Sequence, residues 1–234
     1  VPGVTVPRVV AEGTLTTAGV AGFVLMTRLP GTRWADRRRA LGAAGDAAVA
    51  REVGGVLRRL HGVRGAAFGG LAGGRAYGSA WELAGARRSA VLAGYVAGGG
   101  PSATAARLRA YIEERRDSFG SCHEAALCHR DLVDGNVLLA GADRVAGVVD
   151  LEAAGWDDPM SDLAQTRVHV RFHAPAHVAD LLAGYGEPSA DELVRLDVHD
   201  ALHSARERAW IAADRPPGWR GAVAALDERL AEPA

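Results

Sequence analysis

The apolar positions change their spacing twice along the chain. In the first segment Val4, Val6, Val9 and Val10 lie around Pro7, and Gly22-Phe-Val-Leu-Met26 is an unbroken apolar run closed by Leu29-Pro-Gly31. Short runs of this kind between breakers predict strands. Helical spacing follows. Val49, Val53, Val56, Leu57 and Leu60 share one face, with Asp46 predicted as N-cap and Gly62 as the stop. The Gly- and Ala-rich stretch from Gly62 to Gly78 predicts a loop, with Gly69-Gly70 and Gly73-Gly74 as flexible linker. Helices resume over Trp81 to Val96 and after Pro101-Ser102, where Leu108, Ile112 and Phe119 share a face.

The spacing changes again near Cys128. Val137-Leu-Leu139 and Val145 to Val149 flank Gly141-Ala-Asp143, an apolar strand, a tight turn and a second apolar strand. Beyond Asp162 the pattern is helical to the end, and Ser189-Ala-Asp-Glu192 fits a capping box.

Composition bounds the partners. At 234 residues the chain is one large domain or two small ones, long enough to bury a core without disulfides or structural metals. Twenty-seven basic against 28 acidic residues leave a net charge of −1, no footprint for nucleic acid or an anionic membrane. No apolar run approaches the roughly 20 residues of a membrane span, and no signal peptide opens the chain. Cys122 and Cys128 make neither a disulfide framework nor a zinc cluster. A soluble, cytoplasmic protein is expected. Every basic residue of the 27 is arginine, so no lysine ammonium is available to any mechanism. The chain opens on Val1 rather than Met, as a fragment or processed product would.

The chemistry concentrates in His129-Arg-Asp-Leu-Val-Asp-Gly-Asn136, the hairpin after it, and Val148-Val-Asp150. Asp131 and Asn136 stand five residues apart, and Asp150 comes 14 further on, at the end of the second hairpin strand. A carboxylate to take the proton of an attacking hydroxyl, with an amide and a carboxylate to hold Mg²⁺ against phosphates, suits phosphoryl transfer from a nucleotide. Magnesium keeps water and phosphate ligands, so two protein oxygens suffice.

These eight residues match the H-R-D-L-x-x-x-N signature of protein kinases literally. The surroundings do not follow protein kinases: Asp150 is followed by Leu-Glu rather than Phe-Gly, no Ala-Pro-Glu appears, and Trp156-Asp-Asp-Pro-Met-Ser-Asp162-Leu-Ala lies close behind. This order resembles the aminoglycoside phosphotransferase family and its relatives among small-molecule kinases. Upstream, Phe23-Val-Leu-Met-Thr-Arg-Leu-Pro-Gly31 resembles that family's last N-lobe strand and hinge, and Arg51 to His61, ending in Leu-His, its first C-lobe helix. The likeness covers about residues 20 to 165, in four segments in the family's order.

The resemblance implies an α+β, protein-kinase-like fold. Residues 1–31 would be the end of an incomplete N-lobe sheet plus hinge, and residues 32–234 a mostly helical C-lobe carrying the catalytic loop and metal-binding hairpin. It implies Asp131 as catalytic base, Asn136 and Asp150 as Mg²⁺ ligands, and ATP (or GTP) as donor. The Thr27 carbonyl and Leu29 amide would meet the adenine edge, with Met26 lining that pocket. His129 would brace the loop and Asp162 would hold its backbone from below. The acceptor would be a hydroxyl on a small molecule; the family's range includes aminoglycoside antibiotics, choline and sugar derivatives. Asp191, Glu192, Asp197, Asp200, Glu207 and Asp214 are the acids available to a cationic acceptor. The family's phosphate-gripping strand lysine and its partner helix glutamate have no counterpart in this sequence. The alternative reading is therefore a non-catalytic binding or interaction protein descended from such a kinase.

Other residues read as structural. Asp134 and Gly135 shape the loop turn, and Asp157 and Asp158 a turn into the following helix. Glu152 stands between a role beside the metal and a solvated strand end. His169, His173 and His177, interrupted by Pro175, form a polar face, and His61 ends a helix. His199 and His203 are expected at the surface or hydrogen-bonded, Trp210 and Trp219 in packing, and Arg37-Arg-Arg39 on a solvated face.

Overall fold

The computed structural model describes residues 1–15, 21–71, 73–141 and 143–232. Two antiparallel strands, β1 (Val9–Leu15) and β2 (Ala21–Met26), form a ribbon that pairs with no other strand among the described residues. Val9, Val10, Phe23, Val24, Leu25 and Met26 are all exposed on it. The chain then leaves through residues 27–31 to β3 (Thr32–Arg33) and α1 (Trp34–His61).

The valine and leucine face expected on α1 is buried, but the helix starts well before Asp46. Gly42, at φ 65°, breaks it into two segments. Asp46 is therefore not an N-cap. Its carboxylate accepts from Trp34 Nε1, which closes the first segment onto the second. Arg38, expected in solvent, stacks its guanidinium 4.3 Å from the Trp34 ring centre and pairs with Asp134 at 3.2 Å.

The glycine-rich stretch is not free linker. It contains β4 (Arg64–Gly65), β5 (Gly69–Gly70) and a Phe68–Tyr77 bridge. With β6 (Ala125–Cys128) and β9 (Gly155–Asp157) these make a four-stranded sheet in the order β4-β6-β9-β5. The predicted hairpin is β7 (Val137–Ala140) and β8 (Arg144–Val148), with β3 on its outer edge.

The remaining helices are α2 (Ala80–Ala97), α3 (Ser102–Glu114), α4 (Pro159–His173), α5 (Val178–Tyr185), α6 (Ala190–Asp214) and α7 (Trp219–Ala231). Phe119 lies in a 3-10 turn after α3 and is buried there. The Ser189/Glu192 capping box opens α6 as expected. One core joins α1, the hairpin, α4 and α5 through Leu57, Leu60, Leu132, Leu139, Met160 and Leu181. A second joins α2, α3 and α6 through Leu83, Leu92, Tyr95, Leu108, Ile112 and Leu202. Gly54 and Gly184 let α1 and α5 cross so closely that a methyl on either would strike the other helix's backbone. No described helix is long and apolar enough to cross a membrane.

Candidate active site

One face of α4 holds the whole loop between β6 and β7. Asp162, Gln165, Thr166 and His169 sit at i, i+3, i+4 and i+7, so they project from the same side of the helix. Asp162 accepts from the backbone N–H groups of His129 and Arg130, both at 2.7 Å. Gln165 Nε2 donates to Asp131 Oδ1 at 3.1 Å, and Thr166 Oγ1 donates to the Leu132 carbonyl at 2.9 Å. His169 Nε2 lies 2.9 Å from Asp134, which also pairs with Arg38. Successive loop residues are thus gripped by successive positions of one helix. Gln165 and Thr166 were not anticipated as loop contacts; their polarity inside an otherwise buried helix was the available signal.

Asp162 is itself held from behind. His61 Nε2 lies 3.1 Å from it, and His61 Nδ1 lies 2.9 Å from the Tyr185 hydroxyl. Burial pushes the Asp162 carboxyl up, but the His61 hydrogen bond, the charges of His61 and His129, and the Arg130 N–H outweigh it, so it stays below the usual carboxylate range. Asp158 follows the same logic: it caps α4 through the Met160 N–H and receives Arg195 at 2.9 Å and His199 at 3.2 Å. Asp157 receives Arg87 and Arg130. Both aspartates are fully buried ion-pair centres, more than the simple turn that was expected.

Asp131 is half-buried, with Oδ2 accepting from Asn136 Nδ2 at 3.1 Å. The Asn136 amide nitrogen also donates to the Asp131 carbonyl at 2.8 Å, so both of these bonds use Nδ2 and neither uses the electron pairs of Oδ1. Asp150 is reached through the hairpin: Val149 N–H donates to the Asn136 carbonyl at 3.0 Å, and His129 Nε2 donates to the Val149 carbonyl at 3.0 Å. This bond requires a proton on His129 Nε2 and braces the loop, as expected. Asp150 is exposed and stands at φ 65°, a left-handed backbone uncommon outside glycine, though aspartate tolerates it better than most side chains. The structure therefore brings Asp131, Asn136 and Asp150 to one end of the hairpin. An amide oxygen and an exposed carboxylate are hard donors that fit Mg²⁺. Glu152 is exposed on the turn beyond.

The residues expected at the hinge lie at the foot of the ribbon. Thr27 ties it to Arg8, the residue before β1, its N–H donating to the Arg8 carbonyl and its Oγ1 accepting from the Arg8 N–H, each at 2.9 Å. Met26 is exposed, and the Leu29 side chain packs over Gly147 of β8.

A cleft of about 790 Å³ opens beside Asp131, between the end of α4 and the junction of α6 and α7. Trp210 and Trp219, expected in packing, line this cleft instead, and Trp210 is largely exposed. A smaller cleft of about 210 Å³ adjoins it through Arg130 and Arg206 and contains Gln165 and His203. Of the acids named for a cationic acceptor, Asp200 is enclosed by Arg167, Arg171 and Arg229, Asp197 pairs with Arg167, and Glu192 is used in the capping box. Only Glu207 of that set lines the larger cleft.

His203 gives a pH-dependent stability with a definite sign. Burial and the charges of Arg206 and His199 push it from 6.5 down to about 3. The unfolded chain takes up a proton as pH falls through 6.5, whereas the folded chain refuses it until about 3. Stability is therefore expected to fall on acidification across that window, by at most about 1.4 kcal/mol per pH unit. Thermal melts of His203→Gln between about pH 6 and pH 5 should lose this slope; a slope equal to that of the unsubstituted chain would refute it.

The helical lobe, the hairpin and the gripped loop define a protein-kinase-like fold of the small-molecule phosphotransferase class. The model of the phosphotransferase enzyme family matches residues 1–198, and the chain belongs to that family. Among solved structures, aminoglycoside phosphotransferase APH(4)-Ia is 17% identical, with a TM-score of 0.68 over 99% of this chain and 76% of that one. APH(3'')-Id from Streptomyces rimosus, in complex with ADP and streptomycin, is 22% identical, with a TM-score of 0.56 over 86% and 76%. Macrolide 2'-phosphotransferase MphH from Brachybacterium faecium is 21% identical, with a TM-score of 0.50 over 95% and 73%. Likeness at this identity speaks for the fold. No curated protein sequence matches the chain.

Proposed function

We propose that the protein transfers the γ-phosphoryl group of a magnesium nucleotide, ATP or GTP, to a hydroxyl of a small molecule. The observation that carries this reading is the convergence of Asp131, Asn136 and the strained, exposed Asp150 on one end of a rigid hairpin. In this reading residues 1–31 are the nucleotide-facing sheet and hinge, with Met26, Thr27 and Leu29 at the base, and residues 32–234 are the helical lobe. Asn136 Oδ1 and the Asp150 carboxylate would hold Mg²⁺, which supplies charge neutralisation at the phosphates. Asp131, oriented by Gln165 and Asn136, positions the acceptor hydroxyl and takes its proton as the oxygen bonds to phosphorus and the nucleoside diphosphate leaves. Fixed hydrogen bonds on both carboxylate oxygens cost no reorganisation at that moment. An aminoglycoside-type antibiotic is one acceptor of this class, with resistance as the outcome, and the streptomycin complex of a relative is consistent with it. A nucleotide donor would suit a cytoplasmic protein.

Calorimetric titration of Mg·ATP and Mg·GTP tests the reading. Binding is expected to require Mg²⁺ and to weaken by more than about tenfold in Asp150→Ala. Binding that is indifferent to Mg²⁺ or to this substitution would overturn it. Absence of binding in a cooperatively melting protein would favour the non-catalytic alternative.

A further inference from the structure

The larger cleft beside Asp131 has a composition that selects among acceptors. Phe172 at the end of α4 and Trp210 near the end of α6 are 45% and 55% exposed and both line it. The Trp219 ring, also in the lining, is already faced by two cations, with the guanidinium carbons of Arg215 and Arg220 at 5.6 and 4.7 Å. Among the described residues no guanidinium stands over Trp210 or Phe172, and Phe172 meets only the His173 ring, edge to face at 5.1 Å. Two large aromatic side chains left to water in one concavity, next to a half-buried carboxylate, form a surface suited to an apolar ligand face.

The charges point the same way. A polycationic acceptor gives up the hydration of several ammonium groups and needs a carboxylate for each. Asp150 is given to Mg²⁺ in the phosphotransferase reading, and the other aspartates nearby are committed: Asp157 to Arg87 and Arg130, Asp134 to Arg38 and His169, and Asp197 and Asp200 to arginines. Asp131 is bonded to Gln165 and Asn136. Among the described residues lining the cleft, that leaves Glu207 as the one acid outside this set, and Arg206, His169 and His173 line the cleft with it. Burial and the charge of Asp131 raise the Glu207 carboxyl, opposed by His169 and Arg206, which further limits its pull on cations.

We propose that, within the class of hydroxyl acceptors, this chain takes not a polycationic aminoglycoside but an amphipathic hydroxylated compound with at most one cationic group, its apolar face seated on Trp210 and Phe172 and its hydroxyl at Asp131. This rests on the phosphotransferase reading for the role of Asp131, but the seat itself is testable by binding alone. The probes are n-octyl glucoside below its micellar concentration, the uncharged steroid glycoside digoxin, and the polycation neomycin, titrated into the full chain with tryptophan fluorescence and calorimetry as readouts. Both glycosides should bind, at least one of them about tenfold tighter than neomycin, and Trp210→Ala or Phe172→Ala should weaken them about tenfold with little change in melting temperature. Neomycin binding tighter than either glycoside, no glycoside binding, or glycoside binding unmoved by both substitutions would overturn the proposal. Mg·ATP titrations of the same samples keep the two readings apart: Trp210→Ala should retain the nucleotide affinity of the unsubstituted chain. A chain that binds glycosides through Trp210 but no nucleotide would refute phosphoryl transfer and leave the apolar seat standing.

Discussion

Asp131→Asn is expected to lower phosphoryl transfer to a hydroxyl acceptor by about 10²–10⁴-fold, the usual range for a positioned general base. The substitution preserves size, so packing is retained. It removes the group that takes the proton, and it turns one oxygen into an NH₂. Both hydrogen-bond partners of this carboxylate, Gln165 Nε2 and Asn136 Nδ2, are donors. An amide there must aim its own donors at one of them, which loses one bond and costs about 1 kcal/mol. Turnover at saturating nucleotide and acceptor should therefore collapse while the melting temperature moves by only a few degrees. Turnover within about threefold of the unsubstituted chain would show that another group accepts the proton.

Asp162→Ala is expected to be the most destabilising single change in the site. It strips acceptors from the His129 and Arg130 N–H groups and leaves buried His61 without its carboxylate partner. Breaking a buried charged network by removing one member costs about 3–5 kcal/mol. In a domain of this size that corresponds to a melting temperature lowered by roughly 10 °C. Thr166→Val is the control: it removes one hydrogen bond to the Leu132 carbonyl from the same helix face and should cost only about 1 kcal/mol. Because the folded Asp162 carboxyl lies below its ordinary value of 3.8, its contribution is present above that pH and is lost as pH falls through the folded value. The gap between Asp162→Ala and the unsubstituted chain should accordingly narrow in acid. Equal melting temperatures for Asp162→Ala and Thr166→Val at neutral pH would refute the keystone role of this carboxylate.

Much of this arrangement is legible in the chain. The α1 face through Val49, Val53, Leu57 and Leu60, the hairpin around Gly141, and the Ser189/Glu192 box each carry a local pattern that tertiary packing reinforces. The spacing of Asp131, Asn136 and Asp150 was legible because the hairpin that unites them is itself local. What escaped notice depends on distant partners. Gly69-Gly70 pairs with β9, about 85 residues away, and two-residue glycine strands have no side-chain alternation to reveal them. Asp46 has the composition of a cap, but Trp34, 12 residues earlier, claims its oxygen. Trp210 looks like packing until α7 turns back beside it and leaves its ring on the rim of a cleft.

The β1–β2 ribbon, which pairs with no other strand among the described residues, bears on how a nucleotide would be held. A two-stranded ribbon with apolar side chains exposed gains little from burial, so its opening costs far less than unfolding the helical lobe. Met26 and Thr27, the expected contacts for the base, sit where that ribbon ends, whereas Asn136 and Asp150 stand on the rigid hairpin. The two ends of one nucleotide would thus meet surfaces of unequal stiffness: the phosphates a pre-set frame, the base a band that must be quieted. Part of the binding energy would be spent on that ordering, and the affinity would track the ribbon's entropy as much as its contacts.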